Sequence, residues 1–285
     1  MKNVDTVLKA VEESLTCNPV IYPLELLARH NISDPFDAEL LSYLVDGGES
    51  GGYFHWLTRI AALSDAKLIV ELGNRYGSST VALYHGLKPD QTLITLDIAK
   101  DQRYVPDHIF EDARVKFVFG DCLDLNAYGD ARTPIPVDID IFWTDTIHYY
   151  EQVRDEFYVY EPPFADEALI AIDDIRLNDK GKFFEEVNYP KHDLTSLCHV
   201  SGFGAIHYVR PVSDRGKSHD SRIMEALARA NRVWIRRANK AQSKIEALDE
   251  ELNGRLILPR AKAKLRKILP KSARAIIRKL IRRIS

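Results

Sequence analysis

Short apolar runs alternate with segments of helical length between residues 67 and 211. Five of the runs are apolar at nearly every position, which is typical of parallel strands that helices cover on both faces. A sixth run follows near the end of this region. The runs span residues 67–72, 92–97, 115–119, 138–144, 168–172 and 205–209. This pattern predicts an α/β fold with a doubly wound, Rossmann-like sheet.

The segments before the sheet and at its end have weaker patterns. Residues 1–60 are predicted to form an N-terminal helical region. A weaker strand at about 194–199 precedes Gly202 and Gly204, and glycines after a strand indicate a turn. The sheet is therefore expected to end in a hairpin.

A long helix is predicted after the sheet. Residues 221–252 contain no proline, and their apolar positions recur at steps of three and four, close to a heptad seam. Such a seam would pack on a second copy of the chain, as in a homo-oligomer, or on the sheet domain. The predicted organisation is an N-terminal helical region (1–60), a sheet domain (61–211), a long helix (212–252) and a basic tail (253–285).

Charge is divided unevenly along the chain. The net charge is −3, but residues 1–211 hold 18 basic and 35 acidic side chains, whereas residues 212–285 hold 21 and 7. The apolar fraction of 45% is that of a globular protein and excludes collagen-like and disordered classes. No apolar run approaches the roughly 18 to 20 residues of a membrane span, and no signal peptide is evident. The three cysteines form no CxxC pair, which disfavours disulfides and zinc. A cytoplasmic protein is expected.

The first apolar run leads through two glycines into a helix. Glu71 lies in the run and is followed by Gly73, Tyr76 and Gly77. The predicted helix begins near Ser78. Glycine lets the backbone turn sharply and approach a ligand, because it has no Cβ. A lone GxxxG is equally consistent with an ordinary βα turn.

Acids close the next two runs and strengthen the case for a ligand site. Asp97 ends the second run, where a carboxylate can accept hydrogen bonds from both hydroxyls of a ribose. Asp121 and Cys122 follow the third run, where a carboxylate and a backbone amide can bind an adenine edge. Three successive strand ends thus offer groups suited to a nucleoside.

In combination, these motifs resemble those of class I S-adenosylmethionine (SAM)-dependent methyltransferases. The resemblance covers about residues 45–211 and rests on ELGxxxGxS, on the acid closing the second strand and on GD closing the third. It implies that the turn lines the methionine part of SAM, that Asp97 holds the ribose and that the GD pair lies by the adenine. The candidate cofactor-binding residues are Glu71, Gly73, Tyr76, Gly77, Ser78, Asp97, Asp121 and Cys122.

A second group of acids follows the fourth and fifth runs. Asp145 comes after the fourth, and Asp173 and Asp174 come after the fifth. The carboxyl ends of parallel strands share one edge, so these carboxylates should converge, and a divalent cation would remove their repulsion. An all-oxygen set fits a hard ion, with Mg²⁺ expected. The alternative is that Asp145 caps the following helix and that Asp174 is solvated.

This arrangement resembles the metal-dependent O-methyltransferases of the catechol and macrocin branch. Its members place an acid after the fourth strand and an acidic pair after the fifth, and many read Asp-x-x-His-x-Tyr-Glu where this chain has Asp145 to Glu151. The resemblance implies metal ligands at Asp145, Asp173 and Asp174, with Asp145 and His148 as catalytic residues. His148 would be the general base for an acceptor hydroxyl; its alternative is a histidine bonded to backbone at a helix start. Aromatic and arginine side chains near this edge are expected to shape the acceptor pocket, namely Tyr149, Tyr150, Arg176 and Phe203.

The tail is basic and amphipathic. Residues 255–285 contain 12 lysines and arginines and no acid, and isoleucine and leucine occupy one helical face opposite arginine. This composition is typical of helices that lie on an anionic membrane surface. A partner protein, or docking on the acidic sheet domain, is also compatible. Nucleic acid is disfavoured, because the tail has no aromatic side chain for base stacking.

Taken together, these features predict a metal- and SAM-dependent O-methyltransferase, attached peripherally to the cytoplasmic membrane face. Its expected acceptor is a hydroxyl of a sugar, glycolipid, polysaccharide or natural product, since the resemblance and the tail favour such substrates. Two alternatives stay open. One is a non-catalytic adaptor that brings a partner to the membrane, and the other is a hydroxylase-like relative with the same metal site.

Overall fold

Seven strands form one mixed sheet with helices on both faces. The computed structural model describes residues 4–17, 52–129, 133–198 and 200–254, and the side chains within these ranges other than 16–17 and 248–254. The strands are β1 (Leu68–Leu72), β2 (Thr92–Asp97), β3 (Val115–Phe119), β4 (Ile139–Thr144), β5 (Phe164–Asp173), β6 (Lys191–Asp193) and β7 (Phe203–Val209). The helices are α1 (Val4–Cys17), α2 (Gly52–Leu63), α3 (Ser78–Gly86), α4 (Asp107–Glu111), α5 (Tyr150–Tyr160), α6 (Gly181–Glu186) and α7 (His219–Gly254).

The strand order is β3-β2-β1-β4-β5-β7-β6. The first five strands are parallel, β7 runs antiparallel to β5, and β6 runs antiparallel to β7. This topology confirms the predicted doubly wound sheet and its terminal hairpin. The predicted strand at 194–199 is wrong in position: the strand is Lys191–Asp193, and Leu194 begins a turn. The turn forms because Asp193 accepts a hydrogen bond from the backbone N–H of Thr195, at 3.0 Å.

The strand register brings the candidate residues to one edge. Leu72 is level with Leu96 on β2 and with Thr144 on β4, and Thr144 is level with Ile172 on β5. The residues that come next along these strands therefore form a row at the carboxyl edge of the sheet. That row consists of Gly73, Asp97, Asp145 and Asp173.

Large aromatic side chains fill the core between the sheet and helices α1 to α3. The ring centroid of Phe203 lies 4.8 Å from that of Trp56 and 5.3 Å from that of Trp143. Phe203 is fully buried. The expectation that Phe203 shapes the acceptor pocket is therefore wrong, because the antiparallel β7 directs this ring into the core.

Two compact units divide the chain, Met1–Leu227 and Ala228–Ser285. The division falls inside α7, later than the predicted boundary at 212. Within the first unit, Arg222 donates hydrogen bonds to the carbonyls of Pro162 and Pro163, at 2.8 and 2.9 Å. Within the second unit, the described part is helical, and its seam side chains from Trp234 to Ile245 are half-exposed. The predicted basic tail of 255–285 lies outside the described residues. Among the helices of the described residues, none is both long and apolar enough to cross a membrane.

Candidate active site

The turn after β1 requires glycine at two positions. Gly73 has φ +83°, and a Cβ built there would lie 2.2 Å from the carbonyl oxygen of Asp145. Gly77 has φ +97°, and its Cβ would lie 2.2 Å from a methyl carbon of Val105. Any larger residue would suffer both a left-handed backbone and a steric clash. The turn therefore holds the ends of β1 and β4 in direct contact.

Two buried polar atoms border this turn without partners. Glu71 is fully buried, and its Oε2 accepts a hydrogen bond of 2.5 Å from the Thr80 hydroxyl. Its Oε1 and the Ser78 hydroxyl have no hydrogen-bond partner among the described residues. Burial raises the pKa of Glu71, and nearby hydroxyls oppose this shift. Buried polar atoms are normally satisfied, so these two atoms fit contacts to a polar ligand.

Asp97 shapes the adjoining loop. Its two carboxylate oxygens accept hydrogen bonds from the backbone N–H groups of Arg75 and Ala99, each at 2.7 Å. Two guanidinium groups lie over the Tyr76 ring, that of Arg103 at 4.2 Å and that of Arg75 at 5.1 Å from its centroid. Each carboxylate oxygen keeps a second lone pair for a ligand hydroxyl.

Asp121 and Cys122 begin the loop after β3 and differ in exposure. Asp121 accepts a hydrogen bond from the N–H of Leu123, at 3.0 Å, and keeps a partly exposed side chain. The Cys122 thiol is buried and contacts Glu156 Oε1 at 3.4 Å. Its backbone carbonyl accepts a hydrogen bond from the Tyr160 hydroxyl, at 2.9 Å. At this position the thiol thus faces the interior and not the edge of the sheet.

Glu156 on α5 connects two strand ends. Its fully buried carboxylate accepts hydrogen bonds of 2.6 Å from Thr144, Thr146 and Gln152. Together with the Cys122 thiol, four donors satisfy this carboxylate. Its partners flank Asp145 on both sides, so the network fixes the backbone there. The sequence pattern does not single out Glu156, because an acid within a helical pattern is usually solvated.

Asp145, His148 and Asp174 form a compact group of potential metal ligands. One ligand atom from each lies within 4.8 Å of the others. His148 Nε2 is 2.9 Å from Asp174 Oδ2 and 3.8 Å from Asp145 Oδ1. Asp173, predicted to be a third carboxylate ligand, is buried and outside this group. Asp174 adopts a left-handed backbone, with φ +56°, which directs the chain away from the strand immediately after Asp173.

The two carboxylates change the titration of His148. Asp145 and Asp174 raise the pKa of the imidazole to about 9, against partial burial and the positive charge of Lys180. The imidazole is therefore protonated at neutral pH in the absence of a competing cation. A cation that binds Asp145 and Asp174 would compete with the protonated imidazole of His148 for these two carboxylates.

A pH-dependent loss of stability is expected in metal-free protein. Because the folded-state pKa lies above the ordinary value near 6.5, the stabilisation is complete below about pH 6.5 and disappears as the pH rises through about 9. In EDTA, the Tm of the wild type should fall relative to that of His148→Asn between these limits. If the Tm values of the two proteins change with pH in the same way across this range, His148 is not stabilised by the two carboxylates.

Comparisons with known proteins agree with this geometry. Residues 70–175 match a family model described as a methyltransferase domain. The O-methyltransferase TomG from Streptomyces achromogenes, solved in complex with SAM, is 19% identical with a TM-score of 0.51, over 74% of this chain and 100% of that one. An O-methyltransferase from Bacillus cereus, solved with SAH, is 18% identical with a TM-score of 0.50, over 71% and 100%. No match was found among curated proteins.

The sheet order and the matched segment agree on the fold. At these identities the solved structures establish the fold, which is that of class I methyltransferases. The motifs at the strand ends predicted this fold, and the match of residues 70–175 to a methyltransferase domain agrees with that prediction.

Proposed function

We propose that this protein is a metal- and SAM-dependent O-methyltransferase that acts on a hydroxyl of a sugar, glycolipid, polysaccharide or natural product. The observation that carries the proposal is the group of Asp145, His148 and Asp174 beside the Gly73 turn. The Gly73 turn would hold the methyl donor, and this group would hold the acceptor. The two structural neighbours named above are O-methyltransferases, which supports the same reaction.

The donor set fits a divalent cation. Asp145 and Asp174 supply oxygen ligands, and the imidazole of His148 lies in reach of the same point. Carboxylates favour Mg²⁺ or Mn²⁺, and a nitrogen ligand would shift the preference toward Mn²⁺. When bound, such a cation lowers the pKa of a chelated hydroxyl. We assign Asp145 and Asp174 to the cation and His148 to the acceptor proton.

The residues around the turn have separate tasks in this proposal. The methionine part of SAM would be bound by the backbone of Gly73 and by the buried Glu71 and Ser78. Asp97 would bind the ribose. SAM supplies a methyl group already activated by its sulfonium. The chain therefore has to orient the acceptor oxygen in line with that methyl group and accept the proton of the acceptor hydroxyl.

A cavity between the loop after β5 and the turn after β6 supports a hydroxyl-bearing acceptor. It has a volume of about 340 Å³ and is lined by Arg176, Thr195, Ser196 and Val200. Arg176 follows Asp174 by two residues, and its backbone N–H donates a hydrogen bond to the carbonyl of Ser201, at 2.8 Å. Hydroxyl and guanidinium groups bind the hydroxyls of sugars well.

The reaction can be tested by binding and turnover. SAM at a hundred times its Kd should stabilise the protein by about 2.7 kcal/mol, or several degrees in Tm. SAH should form with acceptors that carry neighbouring hydroxyls when Mg²⁺ or Mn²⁺ is present, and EDTA should stop its formation. Absence of any SAM stabilisation would refute the proposed activity, and turnover unaffected by EDTA would refute its metal dependence.

We further propose that residues 255–285 attach the enzyme to anionic lipid on the cytoplasmic membrane face and that the helix of 221–252 mediates self-association. The charge and apolar face of the tail, taken from its sequence, support the first idea. The half-exposed seam of α7 supports the second. A partner protein that binds the tail is the competing explanation.

Vesicle binding provides a direct measurement for the tail. The full chain should sediment with phosphatidylserine-containing vesicles of about physiological surface charge, and a high salt concentration should release it. A chain ending at residue 254 should stay in the supernatant while keeping its SAM-induced stabilisation. Equal sedimentation of both proteins, or of neither, would contradict membrane attachment through the tail.

A further inference from the structure

Glu156 is a buried acid that the proposed chemistry does not use directly. It lies on α5, is fully buried, and accepts hydrogen bonds from four side chains. A buried polar group is costly unless its lone pairs are satisfied, and four donors match the capacity of two carboxyl oxygens. The positions of these donors therefore show which parts of the chain Glu156 holds together.

Two of the four donors flank Asp145. The hydroxyl of Thr144 donates to Glu156 Oε2 and that of Thr146 donates to Oε1, each at 2.6 Å. Asp145 thus lies between two residues that are attached to the same carboxyl group. Ile147 is already 61% exposed, so the chain leaves the interior directly after the Thr146 bond.

Helix α5 also contacts the loop that carries Asp174. At the start of the helix, the backbone N–H of Tyr150 donates a hydrogen bond of 2.8 Å to the side chain of Asp179. In the same loop, the N–H of Leu177 donates to the Asp174 carbonyl, at 3.0 Å. One helix therefore bonds to both segments that supply carboxylates to the group of potential metal ligands, and its position sets their separation.

We propose that Glu156 is a positioning residue, which sets the place of the Asp145 carboxylate in this group and thereby the affinity of the group for a divalent cation. This inference rests on the proposed metal dependence. Glu156 acts through Thr144 and Thr146 and not by contact with the cation, because its oxygens accept the four hydrogen bonds in the interior. Residues that orient metal ligands typically contribute about ten- to a hundredfold to metal affinity or activity.

Metal affinity distinguishes this role from a general contribution to stability. Glu156→Gln keeps the shape of the side chain but replaces one acceptor oxygen with a donor, so it cannot accept all four hydrogen bonds. Calorimetric titrations with Mg²⁺ and with Mn²⁺, at saturating SAH, should show about tenfold weaker metal binding than the wild type, about 1.4 kcal/mol.

Thr144→Val separates the position of Asp145 from the chemistry of Glu156. It removes one donor beside Asp145 and leaves the acid intact, and it should weaken metal binding at least about threefold. Thr58→Val is the matched control, because Thr58 is also buried and its hydroxyl donates to the Ala82 carbonyl, at 2.7 Å. That bond joins α2 to α3, so Thr58→Val should lose comparable stability and keep its metal affinity within about twofold.

Each outcome decides a separate point. Wild-type metal affinity in folded Glu156→Gln and Thr144→Val would overturn the role of Glu156 and leave the metal dependence standing. Weakening by Glu156→Gln alone, or equal weakening by Thr58→Val, would also overturn it, because the position of Asp145 would then not be the cause. If Glu156→Gln does not fold, Thr144→Val and Thr146→Val decide the question by the same criterion.

The wild type tests the underlying proposal. If it binds neither Mg²⁺ nor Mn²⁺ in these titrations, both this inference and the metal dependence on which it rests are wrong.

Discussion

Replacing Asp174 with asparagine is expected to lower kcat/KM for methyl transfer at least about a hundredfold, or ~2.7 kcal/mol in transition-state stabilisation. The substitution removes a charged oxygen from the group with Asp145 and His148. It should preserve the fold, because asparagine tolerates the left-handed backbone at this position, where φ is +56°. SAH formation at saturating Mg²⁺ or Mn²⁺ gives the rate, and calorimetry gives the metal affinity, which should also fall.

A surface aspartate provides the control for Asp174→Asn. Asp90 precedes β2, at the opposite edge of the sheet, and its exposed carboxylate forms an ion pair with Lys67. Asp90→Asn should leave kcat/KM and metal affinity unchanged, since exposed ion pairs contribute little. If Asp174→Asn retains wild-type turnover while binding SAM normally, Asp174 has no part in the chemistry.

Replacing Gly73 with alanine is expected to weaken SAM binding at least about tenfold and to lower the free energy of unfolding by ~2 kcal/mol or more. The new methyl group would lie 2.2 Å from the Asp145 carbonyl oxygen, so the ends of β1 and β4 would have to separate. The positive φ adds about 1–2 kcal/mol of backbone strain. Chemical denaturation and SAM titration measure the two effects.

A second glycine isolates the steric part of this effect. Gly216 has a similar φ of +81°, but a Cβ there would have no atom within 4 Å. Gly216→Ala should therefore carry only the backbone cost and leave SAM affinity unchanged. If the two alanine variants lose equal stability and both bind SAM normally, the close approach of Gly73 to Asp145 contributes neither to stability nor to SAM binding.

The hydrophobic pattern is sufficient to predict the parallel part of the sheet. Continuous apolar runs identified the five parallel strands, because strands buried on both faces leave little room for polar residues. β6 was misplaced, since its Lys-His-Asp sequence is polar and exposed and its pairing depends on β7. Short edge strands of this kind carry no local signal, and the tertiary contact alone defines them.

The site was predictable wherever it depends on strand ends. Strand register aligns Gly73, Asp97 and Asp145 at one edge, and that follows from topology. Glu156 is not predictable in this way, because its burial results from how α5 folds over the sheet. Sequence alone does not distinguish an acid on a solvated helix face from one that binds four donors.

The Glu156 network has a consequence for how a ligand would bind. Its donors come from the ends of β3 and β4 and from α5, so the backbone around Asp145 is already ordered before any ligand arrives. A preorganised site loses little conformational entropy on binding, and its groups are held near the reactive geometry. Amide hydrogens from Thr144 to Thr146 should accordingly exchange slowly in the free protein and change little on addition of SAM.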